Sequence, residues 1–309
     1  MKVFQSISDY QATGKTVVTL GTFDGVHLGH KKIISHLVQS AKTTNCESLV
    51  LTFFPHPKMA FGDTEIALLN TVEERQQLLQ SAGLENLIIH PFDKAFSELS
   101  AEAFVKSVLV NRFDVSKIIV GYDHRFGNGR EADINDLIAF GNKYDFEVEQ
   151  IPAKEIDDLS VSSTRIRKAL IEGNVKFANQ LLGYYYFLTG IVVEGKKLGR
   201  TIGYPTANLK IPESYKLIPA NGVYVIECII DGATIYGMMN IGTNPTVDGG
   251  NLSIEAHFFD FDANLYNRTI KVALVHRLRS EHRFDSLEIL KVQLAQDKKN
   301  ALSYLKSHS

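Results

Sequence analysis

Two histidines three residues apart, His27 and His30, stand in the glycine-rich run Gly21-Thr22-Phe23-Asp24-Gly25-Val26-His27-Leu28-Gly29-His30. At helical spacing both imidazoles face one side. The run follows the apolar stretch 17–20 and precedes Ile33, Ile34, Leu37, Val38 and Ala41, a pattern that predicts strand, turn and helix. Glycines in the turn let backbone approach a ligand closely, and the unpaired amides at the helix start attract anions. The chemistry indicated is a nucleotide phosphate held by two imidazoles. Two merely solvated loop histidines would need the strand, the glycine spacing and the helix to coincide by chance.

Other chemistry-bearing side chains recur downstream. Ser162, Ser163 and Thr164 precede a helical segment, so their hydroxyls can hold phosphate while Arg165 or Arg167 supplies fixed positive charge; taken alone they read equally as an N-cap and surface arginines. In Leu252-Ser253-Ile254-Glu255-Ala256-His257-Phe258, period two turns Leu252, Ile254, Ala256 and Phe258 inward and leaves the Glu255 carboxylate on the opposite face. Thr206 and Asn208, two apart after Pro205, point to the same side of an extended segment and can share a ligand. Phe54, Pro55 and Pro57 form a flat apolar rim after a strand.

Composition narrows the class. With 309 residues, 44% hydrophobic, 22% charged and a net charge of −2, the chain reads as an ordinary globular protein, of roughly two domains at about 150 residues each. Near-neutral charge without a Lys/Arg cluster argues against a nucleic-acid partner. No apolar run reaches the roughly 20 residues that span a bilayer, and Met1-Lys2-Val3-Phe4-Gln5 opens no signal peptide, so no membrane partner and a cytoplasmic location are expected. Cys46 and Cys228 are expected to be reduced core thiols.

The elements needed to position these residues are also legible. Segments 17–20, 49–53, 87–90, 117–120 and 146–150 read as strands alternating with helices, one opened by the capping box of Thr71 and Glu74: an α/β domain with a mostly parallel sheet. Ligands of such sheets lie beyond the strands' carboxyl ends, where the histidine run, Phe53-Phe54-Pro55-His56-Pro57 and Gly121-Tyr122-Asp123-His124-Arg125-Phe126-Gly127 all fall. From about residue 183 to 277 short strands and turn signals take over, with Asp231-Gly232 as a hairpin turn, predicting a small antiparallel β-barrel. A C-terminal helix over 286–305, capped by Asp285, carries the stripe Leu287, Leu290 and Leu294. The expected domains are 1–182 and 183–309.

These motifs, with Ser162-Ser163-Thr164-Arg165-Ile166-Arg167, Gly199-Arg200-Thr201-Ile202-Gly203-Tyr204-Pro205-Thr206-Ala207-Asn208, Asn221-Gly222-Val223-Tyr224 and Asn240-Ile241-Gly242, make the chain resemble the prokaryotic bifunctional riboflavin kinase/FMN adenylyltransferases, or FAD synthetases. The resemblance covers essentially the whole chain. It implies a nucleotidyltransferase-type α/β domain joining FMN to ATP with release of pyrophosphate, and a β-barrel domain phosphorylating riboflavin and leaving ADP. Catalytic roles fall to His27 and His30, and to Glu255 as base in the kinase. ATP contacts in the first domain fall to Gly21, Phe23, Asp24, Asp123, Ser162, Ser163, Thr164 and Arg165 beside the histidines, and flavin contacts to Phe54, Pro55, Pro57 and Arg125. In the kinase, Gly195, Lys196, Gly199, Gly203, Thr206 and Asn208 would hold ATP, Thr206 and Asn208 would ligate Mg2+, and Arg279 and Phe284 would meet flavin. The expected ligands are riboflavin, FMN, FAD, ATP, ADP and pyrophosphate, with oligomeric state left open. His124, Ala263 and Asn267 depart from the family pattern. Two alternatives remain: a flavin-binding regulatory or single-activity protein, and another small-molecule nucleotidyltransferase fused to a β interaction domain. The presence of every expected catalytic side chain disfavours the first, and the full second motif set disfavours the other.

Overall fold

Runs of Val, Ile and Leu with little alternation form the first sheet because both of its faces are covered. The computed structural model describes residues 1–62, 66–122, 124–152, 161–195, 198–244 and 251–308. It divides into two compact units, Met1–Ser163 and Thr164–Ser309. In the first unit, β1 (Lys2–Phe4), β2 (Thr16–Leu20), β3 (Glu47–Phe53), β4 (Asn86–His90), β5 (Val115–Gly121) and β6 (Glu147–Ile151) form a sheet in the order β1-β4-β3-β2-β5-β6. Every pairing is parallel. Alternate residues feed two cores: Val18, Leu49, Leu51 and Ile118 on one face, and Val17, Val50, Leu87 and Ile119 on the other.

The helix α1 (Leu28–Thr44) packs Ile34, Leu37 and Ala41 into the second of these cores, with Ile33 and Val38 at its margin. It ends at Asn45 in the left-handed region, a conformation asparagine tolerates. The capping box of Thr71 and Glu74 opens α2 (Val72–Ser81) as expected. Strand β2 has β3 on one side and β5 on the other, so the sheet order reverses at β2. The crevice beyond the carboxyl ends of β2 and β5 is therefore a topological switch point, where open α/β sheets bind ligands.

The second unit holds α3 (Val175–Leu182) and a closed barrel of β7 (Phe187–Val193), β8 (Ala207–Lys210), β9 (Gly222–Ile230), β10 (Ala233–Asn244), β11 (Asn251–Phe258) and β12 (Thr269–Arg279). Its order is β10-β11-β8-β7-β12-β9, antiparallel throughout. Asp231 (φ 52°) and Gly232 (φ 84°) make the hairpin turn between β9 and β10, as the twist of a two-residue loop demands. Asn267, one of the departures from the family pattern, takes the left-handed φ of 62° and donates its N–H to Val192 O at 2.8 Å.

Several sequence expectations need correction. Strand β1 went unread because three residues carry no periodicity. Cys46 is only partly buried, whereas Cys228 is a core thiol pushed up to about 11 by burial, hence unreactive as a thiolate. Leu252, expected inward, is 49% exposed near the start of β11, while Ile254, Ala256 and Phe258 are buried. The C-terminal helix α4 (Leu287–His308) is capped by Ser286 rather than Asp285, the Ser286 hydroxyl accepting from Ile289 N at 3.2 Å. Leu287 is exposed; the residues that pack are Leu294, Ala301, Tyr304 and Leu305, with the buried Asp297 in the same stripe.

Candidate functional site

The turn after β2 builds the first site. His27 is the N-cap of α1, and its Nδ1 accepts from His30 N at 3.3 Å. An accepting Nδ1 places the proton of the neutral ring on Nε2, making that nitrogen a donor. The two imidazoles stack at 3.6 Å and 17°, and Phe23 meets His30 edge-on at 5.1 Å. Burial first, then the neighbouring His27 and the positive charge of Arg75, hold His30 well below the usual histidine range, so it is neutral at neutral pH. Its Nδ1 is buried and has no hydrogen-bond partner among the described residues.

Both histidines line a cavity of about 590 Å³ at the switch point, together with Gly21, Thr22, Phe23, Gly121, Arg125, Arg130, Ser162 and Ser163. Pro57 lines it too, but Phe54 packs into the core on the opposite side of the sheet from Phe53. Of the two phenylalanines, Phe53 at the end of β3 is the one that lines the cavity. The apolar wall comes from Phe53, Phe92, Phe96, Phe104 and Phe126, with Phe53 edge-on to Phe92 at 5.2 Å. Sequence reading missed Phe92 and Phe96; their Phe-x-x-x-Phe spacing after β4 was the available signal. His124 stacks near Phe126 at 5.9 Å and 16°, keeping a flat ring in that place.

Asp24, expected beside ATP, has its carboxylate turned to backbone amides. It is 2% exposed and accepts from Leu69 N at 2.9 Å and Asn70 N at 3.2 Å, clipping the start of α2 to the histidine turn. Ser163 Oγ donates to Asp24 O at 2.9 Å, which ties the serine segment to the same turn. Pro55, Thr164 and Arg165 are not among the cavity-lining residues; Arg165 lies 5.4 Å over the Phe177 ring. Asp123 and Lys196 lie outside the described residues.

The second site lies on the barrel. In register, Glu255 on β11 faces Asn208 on β8 and Asn240 on β10. Thr206 Oγ1 donates to Glu255 Oε2 at 3.2 Å, and Ser253 Oγ to Oε1 at 2.8 Å. A Cβ at Gly195 would fall 2.2 Å from Asn208 Nδ2, so only glycine admits this approach. One at Gly199 would fall 2.2 Å from Tyr204 O, and Gly203 takes φ +87°. Two residues beyond Glu255, the His257 Nδ1–H donates to Pro205 O at 2.8 Å. Burial lowers the His257 pKa, with the Pro205 bond opposing. Gly203, Tyr204, His257, Lys291 and Lys298 line a cavity of about 540 Å³. Arg279 is not free to act alone: its Nη2 donates to Asp297 Oδ2 at 2.7 Å and its Nε to Oδ1 at 3.0 Å, while its face lies 5.6 Å over Phe284.

A family model described as FAD synthetase matches residues 9–165, and one described as riboflavin kinase matches residues 182–305. A bifunctional riboflavin kinase/FMN adenylyltransferase of Haemophilus influenzae is 36% identical, covering 94% of this chain and 94% of that protein. The chain belongs to the bifunctional riboflavin kinase/FMN adenylyltransferase family. The protein of that name from Escherichia coli strain K12 is 37% identical over 93% of this chain and 92% of its own. As a family member the chain is a two-activity transferase, with the FAD synthetase part first and the flavokinase part second. A solved Streptococcus pneumoniae structure, described as a macrolide-efflux protein, has a TM-score of 0.88 at 34% identity, covering 96% of this chain and 97% of that one. Among the described residues of this family member no helix is long and apolar enough to cross a membrane.

Proposed function

We propose that residues 1–182 carry out adenylylation and residues 183–309 phosphorylation, with the side chains above in named roles. In the first reaction an oxygen of the FMN phosphate attacks the α-phosphorus of ATP. One P–O bond forms, the α–β bridging P–O bond breaks, and pyrophosphate leaves. No protein nucleophile is needed, so positioning and charge stabilisation supply the rate. His27 Nε2–H and the α1 amides donate to phosphate oxygens, the neutral His30 adds a hydrogen bond, and Ser162, Ser163, Arg125 and Arg130 complete the polar side of the cavity. Pro57 and the Phe53, Phe92 and Phe96 wall take the flavin ring. What carries this half is the stacked His27–His30 pair opening on a switch-point cavity with one polar and one aromatic side.

In the second reaction the riboflavin 5′-hydroxyl attacks the γ-phosphorus of ATP, the β–γ bridging bond breaks and ADP leaves. Glu255 accepts the hydroxyl proton; Thr206 and Ser253 aim its carboxylate. The Thr206 hydroxyl just before β8, the Asn208 amide oxygen on β8 and the Glu255 carboxylate on the paired β11 are hard oxygen donors that fit Mg2+. Thr206 and Asn208 would hold the ion, which when bound neutralises phosphate charge. Gly195, Gly199 and Gly203 leave space for phosphate at the backbone. We place both reactions in the cytoplasm with small-molecule partners only. Incubating the chain with riboflavin, ATP and Mg2+ should yield FMN and then FAD; a folded chain yielding neither product would defeat the proposal.

A further inference from the structure

His27 and His30 reach the cavity, but the turn that carries them is held from behind. Arg75, on α2, is 3% exposed, and its Nη1 donates to Thr22 O and to Thr52 Oγ1, the latter at 3.3 Å. Thr52 Oγ1 in turn donates to Thr22 O at 3.1 Å, so the carbonyl of a cavity-lining residue is fixed from two directions. Burying a guanidinium is costly compared with an apolar side chain of similar volume. Here the charge is spent on a turn that begins the histidine motif, while Asp24 within that turn clips α2 in place through Leu69 N and Asn70 N.

We propose that Arg75 is a positioning residue of adenylyl transfer, fixing the Thr22 carbonyl so that His27 and His30 keep their geometry and setting a permanent positive charge behind the phosphate-binding turn. This rests on the phosphate role of the histidines given above. Among the described residues, the ionisable groups acting on His30 are His27 in its own turn and Arg75 from α2, with Lys31 next to it on α1, Glu74 next to Arg75 on α2, and His56, Lys58, His124, Arg125 and Arg130 lining the same cavity. Burial contributes most to keeping His30 neutral, His27 next and Arg75 third. Removing the Arg75 charge therefore makes His30 easier to protonate, and activity that needs the neutral ring is lost at a higher pH than before.

The test measures kcat and KM for FAD formation, their pH dependence, and riboflavin phosphorylation in the same preparations of Arg75→Gln and Arg75→Lys. Arg75→Gln should lower kcat for FAD formation roughly 10- to 100-fold, as small misplacements near reacting groups do, with KM for FMN within about twofold, and should move the acid limb of the kcat profile upward. Arg75→Lys keeps the charge and loses the fork, so it should restore the acid limb but not the full rate. Phosphorylation should persist in both, which separates this loss from unfolding. An unchanged rate and acid limb in both variants would overturn the proposal, as would losses that only track the folded fraction. If His30→Ala in a folded protein retains FAD formation, the histidine role itself fails, whatever Arg75 does.

Discussion

His27 has two jobs that separate by substitution. Its Nδ1 caps α1 through His30 N, and its Nε2–H is the donor proposed for phosphate. Asparagine is among the best N-caps and has no imidazole. His27→Asn should therefore leave the thermal transition within the equivalent of about 0.5 kcal/mol of the parent, yet lower FAD formation about 100- to 1000-fold, as loss of an oxyanion donor does. His27→Ala should cost about 1 kcal/mol of stability in addition. Calorimetry and product assay on both variants check this; equal destabilisation by Asn and Ala would refute the cap. In the kinase the corresponding detail is Gly195. A methyl group there falls 2.2 Å from Asn208 Nδ2, and the side chain, being flexible, yields before the backbone does. Gly195→Ala should fold normally and lose phosphorylation, with FMN adenylylation intact.

At the scale of elements, two fasteners decide whether the sites keep their shape. Asp24 satisfies buried amides of Leu69 and Asn70, so Asp24→Ala should cost roughly 1–3 kcal/mol for each unpaired donor and loosen α2. Arg279 joins β12 to α4 through Asp297, whose side chain is 1% exposed. Asp297→Ala leaves that guanidinium without its carboxylate and should cost about 3–5 kcal/mol, read as a lowered thermal midpoint. These fasteners also mark where sequence reading stopped. Strands β2 to β6, α1, the capping box and the Asp231-Gly232 turn were legible because each rests on neighbours within a few residues. The bonds of Asp24 to Leu69 N and Asn70 N were not legible, because nothing local says which way a buried carboxylate turns. Phe92 and Phe96 escaped because their approach to Phe53 depends on β4 lying beside β3, and that is set by sheet order. Asp297 interrupts the apolar stripe of α4, so the sequence pattern points to Leu287 although Ala301 and Tyr304 are the residues that pack.

The whole molecule consists of two compact units, each with its own core and cavity, and that arrangement makes a prediction no single site does. The product of the barrel unit is the phosphorylated flavin that the α/β unit consumes, so a block in either should show as a particular missing compound. With riboflavin, ATP and Mg2+ supplied, a folded His27→Asn/His30→Ala variant should accumulate FMN and make no FAD. Glu255→Gln removes the proposed base while keeping the side-chain shape, and should slow phosphorylation about 100- to 10,000-fold. Given FMN directly, the same variant should form FAD at the parental rate, because nothing in the cavity of His27 and His30 has changed. Chromatography of the three flavins over time reads both outcomes in one experiment. If Glu255→Gln, with its thermal transition intact, also lost adenylylation of supplied FMN, the two chemistries would share a site and the assignment of one reaction to each unit would fall.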